Sequence, residues 1–328
     1  MRDPDDGVPT FAELSVRLDA PPNSSWGVFG EADQLGTVNF LTPERVVAAA
    51  SLVKAGRVFS LNWSLLLPFP PLFGRQPLKH RVGHWPDRMI VDDVIHNFYP
   101  QVSSQWDSLR HAGHAEYGFY NGFSIQDVAQ REGGPLGIDN LARRGIVGRG
   151  VLLDVYGHMR ATNRPFSSMD VFVITAELLA ETAEWESVDI KAGDILLVRT
   201  GWIAEYLALT PNAREELAAR TVPGSGYGSF TQAGLGGTDL PEFLWNHRIA
   251  AIAADNPAFD TAPSLSGGRE SLHATLIGLL GMPLGEMWQL EDLARDCAQD
   301  QTYEFFLTSA PLNIPGGAGS PPNALAIK

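Results

Sequence analysis

Short apolar runs and amphipathic stretches alternate along the chain, punctuated by glycine and proline. Thr42-Pro43-Glu44 supplies a capping hydroxyl and a proline at the first helical position, and the Ala/Val-rich stretch behind it predicts a helix running to Gly56. Val58–Trp63 alternates with period two, as a strand does. Gly150–Tyr156, Gly193–Gly201 and Ile249–Asp255 are continuous apolar runs bounded by turn residues, the pattern of buried strands. Helical composition over 174–186, 202–220, 240–246, 272–280 and 290–298 separates or follows them, and Tyr303–Thr308 reads as a late strand. Buried strands alternating with helices predict an α/β domain. Residues 65–92 are rich in Pro, Gly, His and Trp with no period, and read as a long loop or lid. The polar, Pro-rich residues 1–25 read as an N-terminal arm, ahead of one domain over 26–328.

Charge narrows the partners. A formal net charge of −14 over 328 residues would repel nucleic acid and anionic membrane surfaces, leaving a small neutral, apolar or cationic substrate. The single cysteine, Cys297, excludes an intramolecular disulfide and sits in a helix-like context with no neighbouring histidine, as a buried inert thiol would. The acidic Met1–Asp6 is not a signal peptide, and the longest apolar runs are too short for a membrane span. A cytoplasmic protein is expected.

Candidate chemistry concentrates in Gln101-Val-Ser-Ser-Gln105-Trp-Asp107-Ser-Leu-Arg-His111. Asp107 and His111 stand four apart, which on a helix puts them on one face, as do Gln101 and Gln105 one turn upstream. A carboxylate beside an imidazole is the minimal apparatus of general acid–base catalysis; a solvated polar helix face is the competing reading. His80 and His84 have zinc-like spacing, but Gly83 and Pro86 argue against a helix, and two histidines fall short of a zinc site. His96 and His114 are further pocket candidates. Neither a dinucleotide fingerprint nor a phosphate loop occurs, and the Gly-rich stretches 224–228 and 264–268 do not join strand to helix as such loops do. Asn313 and Asn323 stand in a Gly/Pro-rich tail that reads as an ordered loop.

The central stretch resembles the His-x-Gly-Thr-His-x-Asp-x-Pro-x-His motif of the cyclase / kynurenine formamidase-like family, in a long-chain subgroup with glutamine where the metal-binding histidines stand. Trp26-Gly, Asp33–Asn39, Leu41–Glu44, Tyr120-Asn-Gly, Arg144–Asp154, Gly193–Trp202 and Ala253–Pro257 continue the likeness over nearly the whole chain. The resemblance implies a single compact α/β domain with a mixed barrel-like sheet and surrounding helices, of the swivelling β/β/α type, assembled as a homodimer or homotetramer. It also implies that the motif's first two histidines and its aspartate bind a divalent ion, completed by a later histidine and glutamate. Those places hold Gln101, Gln105, Asp107 and, by likeness, Gln232 and Glu242, while the acid–base histidine is His111.

A neutral amide oxygen is a weaker ligand for zinc or manganese than an imidazole. No tightly bound cofactor is therefore expected, only a weakly held Mn, Mg or Zn ion on Gln101, Gln105, Asp107, Gln232 and Glu242. The expected activity is addition or removal of water at a carbonyl-type centre, by amide, lactam or lactone hydrolysis or dehydrative ring closure. His111 would move the proton, Asp107 would orient it, and Glu242 would be a second carboxylate. Gln101, Gln105 and Gln232 would donate to an oxyanion. Trp85, Trp106, Tyr120 and His114 would line the site of a small aromatic or polyketide-like substrate. The alternatives are a metal-dependent arylformamidase-type hydrolase and a non-catalytic small-molecule-binding protein on the same fold.

Overall fold

The computed structural model describes residues 7–129, 133–225, 229–263 and 271–328. Helices α1 (Phe11–Ser15) and α2 (Pro43–Ala50) precede β1 (Val58–Ser60), and a hairpin follows, β2 (Lys79–His84) with β3 (Val91–His96). Next come β4 (Gln105–Asp107), α3 (Ile125–Val128), α4 (Ile138–Arg144), β5 (Ile146–Leu153), α5 (Val155–Ala161), β6 (Phe172–Ile174) and α6 (Ala176–Trp185). The alternation continues through β7 (Ile195–Val198), α7 (Trp202–Ala208), α8 (Pro211–Arg220), β8 (Ala233–Leu235), α9 (Leu240–Asn246) and β9 (Ala251–Ala254). Last are β10 (Leu284–Glu286), α10 (Glu291–Asp300), β11 (Glu304–Ser309), β12 (Gly319–Ser320) and β13 (Ala324–Ile327).

Nine strands form one sheet in the order β1-β13-β11-β5-β7-β9-β10-β4-β12 that curls into a half-barrel. Its centre, β5-β7-β9-β10, is parallel, and both flanks are antiparallel. Every residue of β7 and β9 is buried, which is why those strands are apolar without alternation. Thr42 and Thr175 cap α2 and α6 as their positions predict, each accepting from the backbone N–H three residues on. The expected α/β domain with a barrel-like mixed sheet is what the chain forms.

Three local expectations change. Within 65–92 the chain makes β2, and with β3 a hairpin whose side chains are all exposed, so His80 and His84 sit on an outward strand rather than in a loop. Gln101–His111 is not a helix: β4 carries Gln105–Asp107, and a turn closed by His111 N–H to Ser108 O follows. Residues 8–25 lie against the body: Leu14 is fully buried, Trp245 donates to Pro9 O, and Arg248 donates to Val8 O and Pro9 O. Of the two Gly-rich stretches, 264–268 lies outside the described residues, as does 226–228. No helix among the described residues is long and apolar enough to cross a membrane.

Candidate active site

Strand register builds the centre. In the antiparallel pair β4/β10, Gln105 stands opposite Glu286 and Asp107 opposite Leu284. The two-residue period of a strand sends Gln105 and Asp107 to one face and Trp106 to the other. On the site face, Gln105 Nε2 donates to Glu286 Oε2 at 2.6 Å. On the opposite face, Trp106 is fully buried, packs edge-to-face on Trp288 at 4.7 Å and donates to Ser309 Oγ. Trp106 is core, not substrate contact.

His273, the residue before a π-helical turn (Ala274–Leu279), closes the far side. Such turns recur at functional sites. Its Nδ1 lies 3.0 Å from Asp260 Oδ1 and its Nε2 3.0 Å from Glu286 Oε1. Burial alone would lower its pKa, but the hydrogen bonds to Asp260 and Glu286, with their charges, outweigh that and hold it well above the usual histidine value. Glu286 is pushed the other way for a carboxylate: burial raises it and Asp107's charge adds to the rise, while His273 and Arg75 pull it back. Two non-glycine residues with positive φ flank the carboxylates that hold His273: Phe259 (φ 51°) before Asp260, and Met287 (φ 52°) after Glu286. Backbone in that region is strained and persists where the surroundings impose it.

His111, with its side chain 30% exposed, brings Nδ1 to 3.5 Å from Oδ1 of the fully buried Asp107, and its ring lies 6.0 Å from that of His273. The turn after β4, rather than a helix, brings the pair together. Gln101 reaches the same space from the side: a Cβ on Gly319 would fall 2.6 Å from Gln101 Nε2 and 3.3 Å from Asp107 Oδ1, and its 2.8 Å approach to the backbone oxygen of Trp106 is what requires glycine there.

Both oxygens of Asp107, Gln105 Oε1 and Gln232 Oε1 are buried without a hydrogen-bond partner. All four are acceptors. The amide orientations are forced, because each Nε2 faces an acceptor: Glu286 Oε2 for Gln105, and Asp260 O for Gln232 at 2.8 Å. Gln105 and Gln232 therefore offer the site oxygens, not the N–H donors expected of them for an oxyanion. Unpaired buried acceptors cost about 1–3 kcal/mol each, so the arrangement fits a guest that brings positive charge or N–H or O–H groups. Asp107, His111 and His273 present one ligand atom apiece within 4.8 Å of one another, which fits a divalent cation on a mixed O/N donor set. His273, with each nitrogen at hydrogen-bond distance from a carboxylate, has the least lone-pair capacity of the three.

Several expected residues lie elsewhere. Glu242 is exposed on α9, where its Oε1 accepts from Asn246; the carboxylate beside Gln105 is Glu286, and the histidine grouped with Asp107 and His111 is His273. Tyr120 is fully buried with its hydroxyl on Asp33 Oδ2, and Trp85 follows the exposed β2, its Nε1 bonded to Asp92. His114 stacks on Tyr117 at 4.8 Å and helps line a cavity of about 700 Å³, with Phe11, Leu235, Leu272 and Leu279 as apolar wall and Asp260 on its surface. The sequence reading missed His273, Glu286, Asp260 and Arg75. Of the other expected residues, Gln232 bonds to Asp260 O and Gln101 brings its amide beside Asp107.

The profile of the family described as "Putative cyclase" matches residues 65–261. A crystal structure of a novel cyclase is 33% identical, covering 93% of this chain and 99% of that one, with a TM-score of 0.80. Isatin hydrolase A from Ralstonia solanacearum is 19% identical over 87% of this chain and 97% of its own, with a TM-score of 0.56. An isatin hydrolase bound to the product analogue thioisatinate is 18% identical over 87% and 98%, with a TM-score of 0.55, and both likenesses are of fold. No curated protein matches the chain.

Proposed function

The chain belongs to the cyclase family, and from that premise we propose an enzyme that adds or removes water at a carbonyl-type centre by proton transfer at His111. The observation that carries the reading is the Asp107–His111 pair, in which a fully buried carboxylate with no hydrogen-bond partner faces a partly exposed imidazole. The carboxylate facing Nδ1 orients the ring, leaving Nε2 to accept a proton from water and return it to the leaving group. Gln101 Nε2 is an amide donor beside Asp107, and the open oxygens of Gln105 and Gln232 suit substrate N–H or O–H groups. The apolar cavity beside Asp260 is large enough for a bicyclic aromatic substrate.

Asp107 is the residue that would hold a divalent ion, with His111 and His273 within reach. When bound, such an ion would supply Lewis-acid polarisation of a carbonyl oxygen. That triad favours a second reading, a metal-dependent hydrolase of the arylformamidase type.

Purified protein would be assayed on isatin, a formyl-anilide and a lactone, with and without Mn²⁺. Isatin leads because it names the activity of two structures of this fold. Loss of turnover in both His111→Ala and Asp107→Asn is expected. Undiminished turnover in both overturns the acid–base assignment, and turnover wholly dependent on added ion selects the second reading.

A further inference from the structure

Arg75 stands in the segment before the hairpin, held by a turn from its N–H to Leu72 O. Its guanidinium is partly buried, lies 5.2 Å from the Phe73 ring centroid and donates from Nη1 to Gln101 O at 2.8 Å. Gln101 in turn brings its side-chain amide beside Asp107. Among the described residues the remaining guanidinium N–H groups have no protein partner, and none is sealed from solvent. The cation is thus anchored through Gln101 at the edge of the acidic centre without being consumed by an ion pair.

We infer that Arg75 is the resident cation of this centre, a positioning residue whose fixed charge offsets Asp107 and Glu286 and so sets how weakly the centre holds a divalent ion. Burial disfavours its charged form, and the attraction of Glu286 and then Asp107 opposes that loss. A guanidinium does not deprotonate in proteins, so its charge is present at every working pH. Carboxylates already balanced by one cation attract a second less strongly, and in a partly buried site that repulsion is poorly screened. Exchange of imidazoles for amides weakens the ligands; Arg75 weakens the field that would draw the ion in. The inference rests on where Asp107 and Glu286 lie, not on the reaction they serve.

The test is Mn²⁺ binding to the purified full chain, followed by electron paramagnetic resonance of the free ion at low ionic strength. Wild type, Arg75→Gln and Arg75→Lys would be compared, with circular dichroism confirming the fold. Arg75→Gln is expected to bind Mn²⁺ about tenfold more tightly than wild type or better, and Arg75→Lys within about threefold of wild type. General structural damage would loosen the site, so a gain in affinity reports on charge. Equal or weaker binding in Arg75→Gln overturns the inference, as does equal tightening in Arg75→Lys or no binding by any of the three. Arg75→Met, which keeps an apolar stem against Phe73, replaces the glutamine variant if that one does not fold.

Discussion

Two of the buried acidic clusters among the described residues are wired in opposite ways. Beyond the ends of β5, β7 and β9, Asp154 accepts from Arg199 Nη1 and Gly157 N–H, and Asp255 accepts from Thr200 and Gly201 N–H. Arg199 grips Glu291 through two bonds of 2.8 and 2.9 Å. Glu186 joins this cluster by accepting from Asp154 N–H; its second oxygen is open, and burial pushes its carboxyl up to about 9, so it is a neutral acid at pH 7. At β4 and β10, Asp107 is as deeply buried, yet neither oxygen has a hydrogen-bond partner. Charge that is paired serves the fold; charge left open inside a protein is held ready for something that arrives. Burial alone would not have told the two apart.

The contrast can be broken by substitution. His111→Ala should lower kcat/KM by about 10²–10⁴-fold, whereas Arg199→Ala should leave turnover per folded molecule within about threefold. Arg199→Ala should instead cost about 3–5 kcal/mol in urea unfolding, because it strands buried carboxylates. Glu186 supplies the pH arm. Its folded pKa is raised from 4.5 to about 9, so between those values the native state binds more protons than the unfolded chain and loses stability as pH rises. Wild type should therefore weaken with a limiting slope of about 1.4 kcal/mol per pH unit relative to Glu186→Gln, read from urea midpoints at pH 5 and pH 8. The smallest effect has the opposite sign: Asp107→Asn should stabilise the fold by about 1 kcal/mol while abolishing turnover, since it removes a buried carboxylate whose oxygens have no hydrogen-bond partner. A clear loss of stability there would make Asp107 structural after all.

Legibility in the sequence followed the range of the interactions. The helix over 240–246 and the strands within 193–201 and 249–255 are specified by local periodicity and caps, and all three formed. β4 is three residues long, too short to display a period, and exists only because β10 and β12 pair with it. The same four-residue spacing that suggested a helix for Asp107 and His111 is met by a strand and a turn. His273 and Glu286 lie in a helical stretch and a Leu-Gly-Glu strand with nothing local to link them to residue 107. One signal was available. The family pattern asks for a later histidine, and beyond His114 the chain has only His158, His247 and His273.

The cavity wall carries a consequence for how the molecule is made. Phe11 lines that cavity and is tied by its N–H to Asn246 Oδ1, across a separation of 235 residues. Synthesis proceeds from the N-terminal side, so this piece of wall is written before its partner and must wait for α9 to meet Asn246. Completion of the cavity is therefore postponed, while shorter-range pieces of the sheet can already gather.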